Sequence, residues 1–213
     1  MSTPTNPHYG QPVLATGAPL EQARAAMVLV HGRGASAEDI LSLAVEFGAE
    51  DVAYLAPQAA NNAWYPYRFI VPLAQNEPWF SSAIATLELL LEHIAAGGIP
   101  AERTILLGFS QGACLALEYA ARHPQRYGGV VALSGALIEN GDQPRVYDGS
   151  LAGTPVFIGC SDVDPHIPAG RVERSADVLR DLGAEVTLQI YPGMGHTVNR
   201  DEIARVQAMI AAL

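Results

Sequence analysis

The stretch Ile105-Leu106-Leu107-Gly108-Phe109-Ser110-Gln111-Gly112 decides the fold that we expect for this chain. Its apolar first half indicates a strand, and the alanine-rich residues 113–121 that follow indicate a helix packed closely on a sheet. A strand that turns into a helix at a serine, with glycines two positions before and after, is typical of a nucleophile elbow. The glycines permit the tight turn that exposes the serine oxygen. We therefore predict that Ser110 is the nucleophile of an acyl transfer; the alternative is a tight turn without chemistry.

The rest of the chain alternates between two kinds of pattern. Short runs, most of them continuously apolar, lie at residues 26–30, 52–56, 104–109, 129–133, 155–159 and 186–190. Helical patterns lie between or after them, at residues 36–47, 76–96, 111–122, 168–182 and 199–212. Continuously apolar strands alternating with helices indicate a doubly wound α/β architecture, a mostly parallel sheet with helices on both faces. We expect an extended segment at 12–15 to add an antiparallel edge.

Length, composition and charge narrow the class of protein. The chain has 213 residues, 49% of them hydrophobic, which suits a single domain spanning residues 1–213. The formal net charge of -10 disfavours binding to nucleic acids and to anionic lipid headgroups, and no apolar stretch is long enough to span a bilayer. We therefore expect neither nucleic-acid binding nor stable membrane insertion. The polar N-terminus lacks the pattern of a secretory signal, which favours a cytoplasmic protein. Cys114 and Cys160 are expected to be free thiols.

A serine nucleophile needs a base, and the base needs an acid to orient it. In a fold with this elbow the chain order is nucleophile, acid, histidine. Of the six histidines, only His196 follows a strand late enough in the chain to be the third member. The acid should follow the strand predicted at 155–159, where Asp162 and Asp164 are both candidates. Each could instead be a turn former, and spacing alone does not choose between them.

Two further groups of residues are expected around the serine. The backbone N–H of Gln111 should stabilise an oxyanion, together with a donor from the turn His31-Gly32-Arg33-Gly34 after the first main strand. Residues 58–75 form a long connection with little periodicity, and six of the 15 aromatic residues lie between positions 64 and 80. These aromatics fill either the core or a ligand site, and we predict that Trp64, Tyr65 and Trp79 bind substrate. The sequence carries no convincing metal or cofactor motif, so we expect neither.

The chain resembles the phospholipase/carboxylesterase family of α/β hydrolases from about residue 31 to its end. The matching stretches are Val30-His31-Gly32-Arg33-Gly34, Trp64-Tyr65, Gly108-Phe109-Ser110-Gln111-Gly112, Leu133-Ser134-Gly135, Asp164-Pro165-His166-Ile167-Pro168 and Gly195-His196. The resemblance implies the α/β-hydrolase fold and assigns the acid to Asp164. It also implies that the oxyanion donors are the backbone N–H groups of Arg33 and Gln111. Relatives often pair, which makes a homodimer plausible.

The resemblance implies hydrolysis of a small-molecule ester, and we predict a serine carboxylesterase for short- to medium-chain esters. The alternatives within the family are a lysophospholipase and an acyl-thioesterase. Arg33, where the thioesterase branch commonly has an apolar residue, and the aromatic segment 64–69, typical of small esterases, favour the carboxylesterase. An alternative of another class is a catalytically silent ligand-binding protein on the same fold.

Overall fold

Seven strands form one sheet in the computed structural model, which describes residues 6–141 and 145–213. The strands are β1 (Val13–Gly17), β2 (Ala25–Val30), β3 (Val52–Pro57), β4 (Thr104–Phe109), β5 (Gly129–Leu133), β6 (Pro155–Ser161) and β7 (Glu185–Tyr191). Their order in the sheet is β1-β3-β2-β4-β5-β6-β7. All neighbouring pairs are parallel except β1 and β3, so the prediction of a mostly parallel sheet with an antiparallel edge is confirmed.

Six α-helices of the described residues cover the sheet. They are α1 (Ala37–Leu41), α2 (Leu43–Phe47), α3 (Trp79–Ala96), α4 (Gln111–Arg122), α5 (Ala169–Asp181) and α6 (Arg200–Ala211). Buried side chains of α3, α4 and α5 form one hydrophobic cluster, and those of α1, α2 and α6 belong to another. Successive residues of β2 alternate between the two clusters and are fully buried, because side chains along a strand point to opposite faces. This explains the continuous apolar runs. None of these helices is both long and apolar enough to cross a bilayer.

Two predicted helices differ from the observed ones. The pattern at 36–47 forms two short helices that meet at Ser42, whose hydroxyl donates to the carbonyl of Asp39 at 2.6 Å. Such local side-chain bonds compete with the helical ladder. The helix expected from residue 76 begins at Trp79, because a 3-10 turn at Leu73–Asn76 and Pro78 precede it. Proline has no N–H to donate to a helix and belongs at its start.

The topology brings the expected site residues to one edge of the sheet. The carboxyl ends of parallel strands lie along a common edge, which is where open α/β sheets bind ligands. His31 follows β2, Ser110 follows β4, Asp164 lies three residues beyond β6, and His196 lies five residues beyond β7. Residues that are up to 165 positions apart in the sequence can therefore meet there.

Candidate active site

Ser110 lies on a strained turn between β4 and α4. Its backbone has φ 54° and ψ −117°, a conformation that residues other than glycine rarely adopt. A Cβ atom at Gly108 would lie 2.2 Å from the carbonyl oxygen of Gly112, and one at Gly112 would lie 2.0 Å from that of Val30. Both positions therefore require glycine, and the serine that the turn carries lines a pocket.

A chain of hydrogen bonds joins Ser110 to His196 and Asp164. The Nε2 atom of His196 is 2.8 Å from Oγ of Ser110, and its Nδ1 atom is 2.7 Å from Oδ2 of Asp164. A proton on Nδ1, held by the carboxylate, leaves Nε2 free to accept the serine proton. The imidazole also packs against two other rings: the centroid of Phe109 is 5.0 Å away and that of His166 is 4.8 Å away.

Asp164 is held as a carboxylate. Its Oδ1 atom accepts the backbone N–H groups of His166 and Ile167 at 2.8 and 3.0 Å. Burial acts to raise the pKa of Asp164, but the hydrogen bonds from His196 and from these two N–H groups outweigh it and hold the pKa below its ordinary value. The carboxyl group is thus ionised and able to stabilise a charge on the imidazole.

Asp162 contacts the loop that carries His196 and makes no hydrogen bond to the imidazole among the described residues. Its Oδ1 atom accepts the backbone N–H of Gly193 at 2.8 Å. The neighbouring Ser161 hydroxyl accepts the N–H of Gly195 at 3.0 Å. Both bonds fix the loop that carries His196, so Asp162 supports that loop while Asp164 contacts the ring.

The two residues that we expect to supply oxyanion donors lie beside the serine. A Cβ atom at Gly32 would lie 3.4 Å from Cβ of Ser110, so the turn after β2 packs directly against the elbow. Arg33 and Gln111 both line the same pocket as Ser110. Gln111 is the first residue of α4, where backbone N–H groups have no acceptor within the helix. The two residues predicted to supply the oxyanion donors are therefore in the same pocket as the serine.

Comparison with known proteins identifies the family of the chain. Residues 12–213 match the family model described as phospholipase/carboxylesterase. The chain belongs to the phospholipase/carboxylesterase family. It is a carboxylic ester hydrolase with the α/β-hydrolase fold.

Individual relatives agree with this assignment. Acyl-protein thioesterase 1 of Debaryomyces hansenii is 29% identical over 215 residues, which cover 91% of this chain and 93% of that protein. The crystal structure of a phospholipase/carboxylesterase from Dyadobacter fermentans superposes with a TM-score of 0.90 at 42% identity, covering 99% of both chains. The carboxylesterase of Bacillus cereus, at 20% identity and a TM-score of 0.74 over 96% of this chain and 95% of its own, shares the fold.

The Gln111 side chain of the hydrolase clamps the aromatic connection onto the elbow. Its Oε1 atom accepts the backbone N–H of Trp64 at 2.8 Å, and its Nε2 donates to the carbonyl of Tyr65 at 2.8 Å. No local pattern predicts this contact, because the partners are 46 and 47 positions apart in the chain. The side chain of Gln111, whose backbone N–H we predict to be an oxyanion donor, thus fixes one wall of the pocket.

The pocket at Ser110 has a volume of about 300 Å³. Four tyrosine and phenylalanine side chains line it, namely Tyr65, Tyr67, Phe69 and Phe109. Trp64 and Trp79, which we expected to bind substrate, are not among the lining residues. Trp64 is 0% exposed and its indole N–H donates to the carbonyl of His31 at 2.9 Å. Trp79 packs against the ring of His8, 5.4 Å away, so both indoles belong to the packing behind the pocket.

The buried position of Trp64 changes the expected effect of its removal. Trp64→Ala should destabilise the hydrolase by about 3–5 kcal/mol, because it empties a large core site and removes an indole hydrogen bond. Phe69→Ala, at a position that lines the pocket, is the matched control and should change the ratio of kcat/KM between short and long esters. Thermal unfolding and kcat/KM on butyrate and octanoate esters check both. A shifted ester ratio with an unchanged Tm in Trp64→Ala would contradict this assignment.

Three buried titratable residues lie outside the chain of hydrogen bonds from Asp164 to Ser110, although Cys114 lines the pocket and Sγ of Cys160 is 3.9 Å from Oδ2 of Asp164. Cys114 and Cys160 are free and buried, as expected, and burial raises the pKa of each thiol to about 12, so neither is a ready nucleophile. Glu202 of α6 is also buried, with Oε2 accepting the N–H of Asn199 at 2.9 Å and Oε1 lacking a hydrogen-bond partner among the described residues. A Cβ atom at Gly159 would lie 2.1 Å from Oε1, so the glycine makes room for this carboxyl. Burial raises the pKa of Glu202 from 4.5 to about 7.

Proposed function

We propose that the protein is a serine carboxylesterase that hydrolyses short- to medium-chain esters with Ser110, His196 and Asp164. The hydrogen-bonded sequence from Asp164 Oδ2 through His196 to Ser110 Oγ, opening into the pocket, supports this proposal most directly. It rests on the ester hydrolase activity that membership of the family gives.

The proposed reaction has two acyl-transfer steps. Nε2 of His196 accepts the proton of Ser110 as Oγ attacks the ester carbonyl, and the imidazolium that forms is stabilised by Asp164. The C–O bond to the alcohol then breaks, and the alcohol oxygen takes the proton from Nε2. Water enters, loses a proton to Nε2 as it attacks the acyl-enzyme, and the carboxylic acid leaves while Ser110 regains its proton.

The backbone N–H groups of Arg33 and Gln111 are proposed to hold the carbonyl oxygen during both steps. Negative charge develops on that oxygen only in the tetrahedral intermediates, so donors fixed by the fold favour these states over the bound ester. The first-turn position of Gln111 adds the positive end of the α4 dipole.

A second candidate is an acyl-thioesterase, because relatives that match along nearly the whole chain carry that name. The pocket volume of about 300 Å³ favours short and medium acyl chains over long ones. A panel of oxygen esters and thioesters with acyl chains of two to sixteen carbons separates these functions and tests lysophospholipids alongside. A kcat/KM that rises to the longest chains, or is higher for thioesters, would replace the proposed substrate class.

The alternative of a silent binding protein has a direct test. A fluorophosphonate should label the purified protein at Ser110, because the hydroxyl lies 2.8 Å from its base. Absence of labelling in the folded protein would favour the silent protein. A single domain, a cytoplasmic location and a homodimer stay predictions, and sedimentation at micromolar concentration showing only a 22.5 kDa species would exclude the dimer.

Activity should fall on the acid side of neutrality. We expect kcat/KM to decline as pH is lowered from 8 towards 5, because an imidazolium cannot accept the serine proton. The lowered pKa of Asp164 keeps that carboxylate ionised throughout this range. Initial rates on one short ester between pH 5 and 8, in buffers of constant ionic strength, check the decline. A flat profile would argue against a histidine base.

A further inference from the structure

The pocket at Ser110 has a charge opposite to that of the protein. The chain carries 22 acidic residues against 12 basic ones. Among the described residues that line the pocket there is no aspartate or glutamate, whereas two arginines, Arg33 and Arg68, are present. An ester with an apolar acyl chain and a neutral alcohol has no charged group that would pair with either arginine.

Both guanidinium groups are held by neutral acceptors. Arg33 donates from Nη1 to the carbonyl of Pro66 at 2.6 Å and from Nη2 to the carbonyl of Tyr67 at 2.7 Å. Arg68 donates from Nη2 to the carbonyl of His166 at 3.2 Å. Carbonyl oxygens orient a guanidinium group without neutralising it.

Neither arginine has a carboxylate partner in the part of the chain that the structure describes. The ion pairs found there involve seven other arginines: Arg24, Arg122, Arg145, Arg171, Arg174, Arg180 and Arg205. A guanidinium group has five N–H donors, of which these carbonyls use two on Arg33 and one on Arg68. Donors therefore remain on both groups for a ligand in the pocket.

We propose that the preferred substrate is an ester that carries a carboxylate or phosphate group, bound by Arg33 and Arg68. This inference rests on the proposed esterase function and specifies its substrate class. Guanidinium N–H groups match the oxygens of both anions, and the bonds are stronger than those between neutral partners. In a protein of net charge -10, two unneutralised arginines also give the pocket the local field that draws an anion to it.

The position of Arg33 links this binding to the reaction. Its backbone N–H is a proposed oxyanion donor, while its side chain reaches across to the aromatic connection at Pro66 and Tyr67. An anion that engages the guanidinium group would thus be anchored to the same residue that faces the ester carbonyl. Binding at the charged end would position the reacting end, which is how remote contacts raise kcat/KM.

Two pairs of substrates test the proposal and separate carboxylate from phosphate. The first pair is the 4-nitrophenyl hemiester of adipic acid and 4-nitrophenyl hexanoate, which differ by a terminal carboxylate. The second is 4-acetoxyphenyl phosphate and phenyl acetate, which differ by a phosphate on the alcohol side. The measured quantity is the ratio of kcat/KM, anionic over neutral, corrected for spontaneous hydrolysis and compared between variants, so that differences in intrinsic reactivity cancel.

Arg68→Gln and Arg33→Gln should each lower this ratio about ten-fold or more for at least one pair, since each removes a charged hydrogen-bond donor. Arg103→Gln is the matched control, because it changes the net charge by the same amount. Arg103 is exposed and directly precedes β4, at the opposite edge of the sheet from the pocket. This variant should leave the ratio unchanged. Raising the ionic strength should lower the ratio in the wild type.

If Arg68→Gln and Arg33→Gln leave the anionic-to-neutral ratio of kcat/KM unchanged in both substrate pairs, the proposal of an anionic substrate is wrong. An equal loss in Arg103→Gln would also overturn it, because net charge rather than the pocket would then be responsible. Continued hydrolysis of the neutral esters in these cases would leave the esterase function standing. If no substrate is hydrolysed and a fluorophosphonate fails to label Ser110, the proposed function itself fails.

Discussion

Replacing Ser110 with alanine is expected to lower kcat for ester hydrolysis by about a million-fold, the loss typical of removing a serine nucleophile. The variant keeps its backbone N–H groups, so any residual rate would come from binding and the oxyanion donors alone. The fold should be intact, because the hydroxyl of Ser110 contacts only His196 among the described residues. Rates on a short ester and thermal unfolding of the same preparation measure both effects.

Ser134 supplies a matched control for this variant. It also follows a strand, β5, and has a positive φ of 54°, but it is 0% exposed and its hydroxyl has no hydrogen-bond partner among the described residues. Ser134→Ala should therefore retain activity within a few-fold of the wild type. Retention of more than about a hundredth of the activity in Ser110→Ala would exclude Ser110 as the nucleophile.

The second large effect is expected at Asp164. Asp164→Asn should lower kcat by about 10⁴-fold, because a neutral amide neither stabilises the imidazolium nor holds the proton on Nδ1 of His196. The amide oxygen can still accept the N–H groups of His166 and Ile167, so the turn should keep its shape. The loss should therefore appear in the rate and not in the Tm.

Asp162→Asn is the matched control that shows which of the two aspartates acts on His196. An asparagine oxygen at position 162 can still accept the N–H of Gly193, the one bond that Asp162 makes to the loop of His196. Its loss of activity should be far smaller than that of Asp164→Asn. Both variants are measured on one short ester, and the reverse order of losses would assign the acid to Asp162.

The fold was predictable because the sheet is buried on both faces. The central strands β2 to β5 are almost continuously apolar and buried, and only a sheet covered on two sides permits that in a chain of this length. The elbow and His196 were predictable because glycine spacing and chain order follow from local geometry and from the fold. Choosing between Asp162 and Asp164 needed the turn itself, which decides which carboxylate reaches the ring.

The aromatic connection was the part that sequence patterns could not resolve. Its indoles and phenols lack periodicity, so nothing local separates Tyr65, which lines the pocket, from Trp64, which is in the core. What separates them is a set of contacts across large sequence distances. His8 accepts the N–H of Ala60 at 3.1 Å and its Nε2 lies 3.0 Å from the carbonyl of Trp64, while Gln111 holds the other side of the same backbone. No spacing rule connects these residues.

The buried carboxyl of Glu202 makes a contribution to stability whose dependence on pH is opposite to that of the activity. Its pKa is 4.5 when exposed and about 7 when folded, so between these values the unfolded chain loses the proton first. The free energy of unfolding therefore decreases as pH rises through this interval, whereas a histidine base works better as pH rises. The contribution of Glu202 to stability is therefore largest on the mildly acidic side, whereas burial lowers the pKa of His8 and His31, so that these two residues act in the opposite direction. Anyone seeking a more durable alkaline catalyst should begin at position 202, where glutamine would keep the capping bond without a proton to lose.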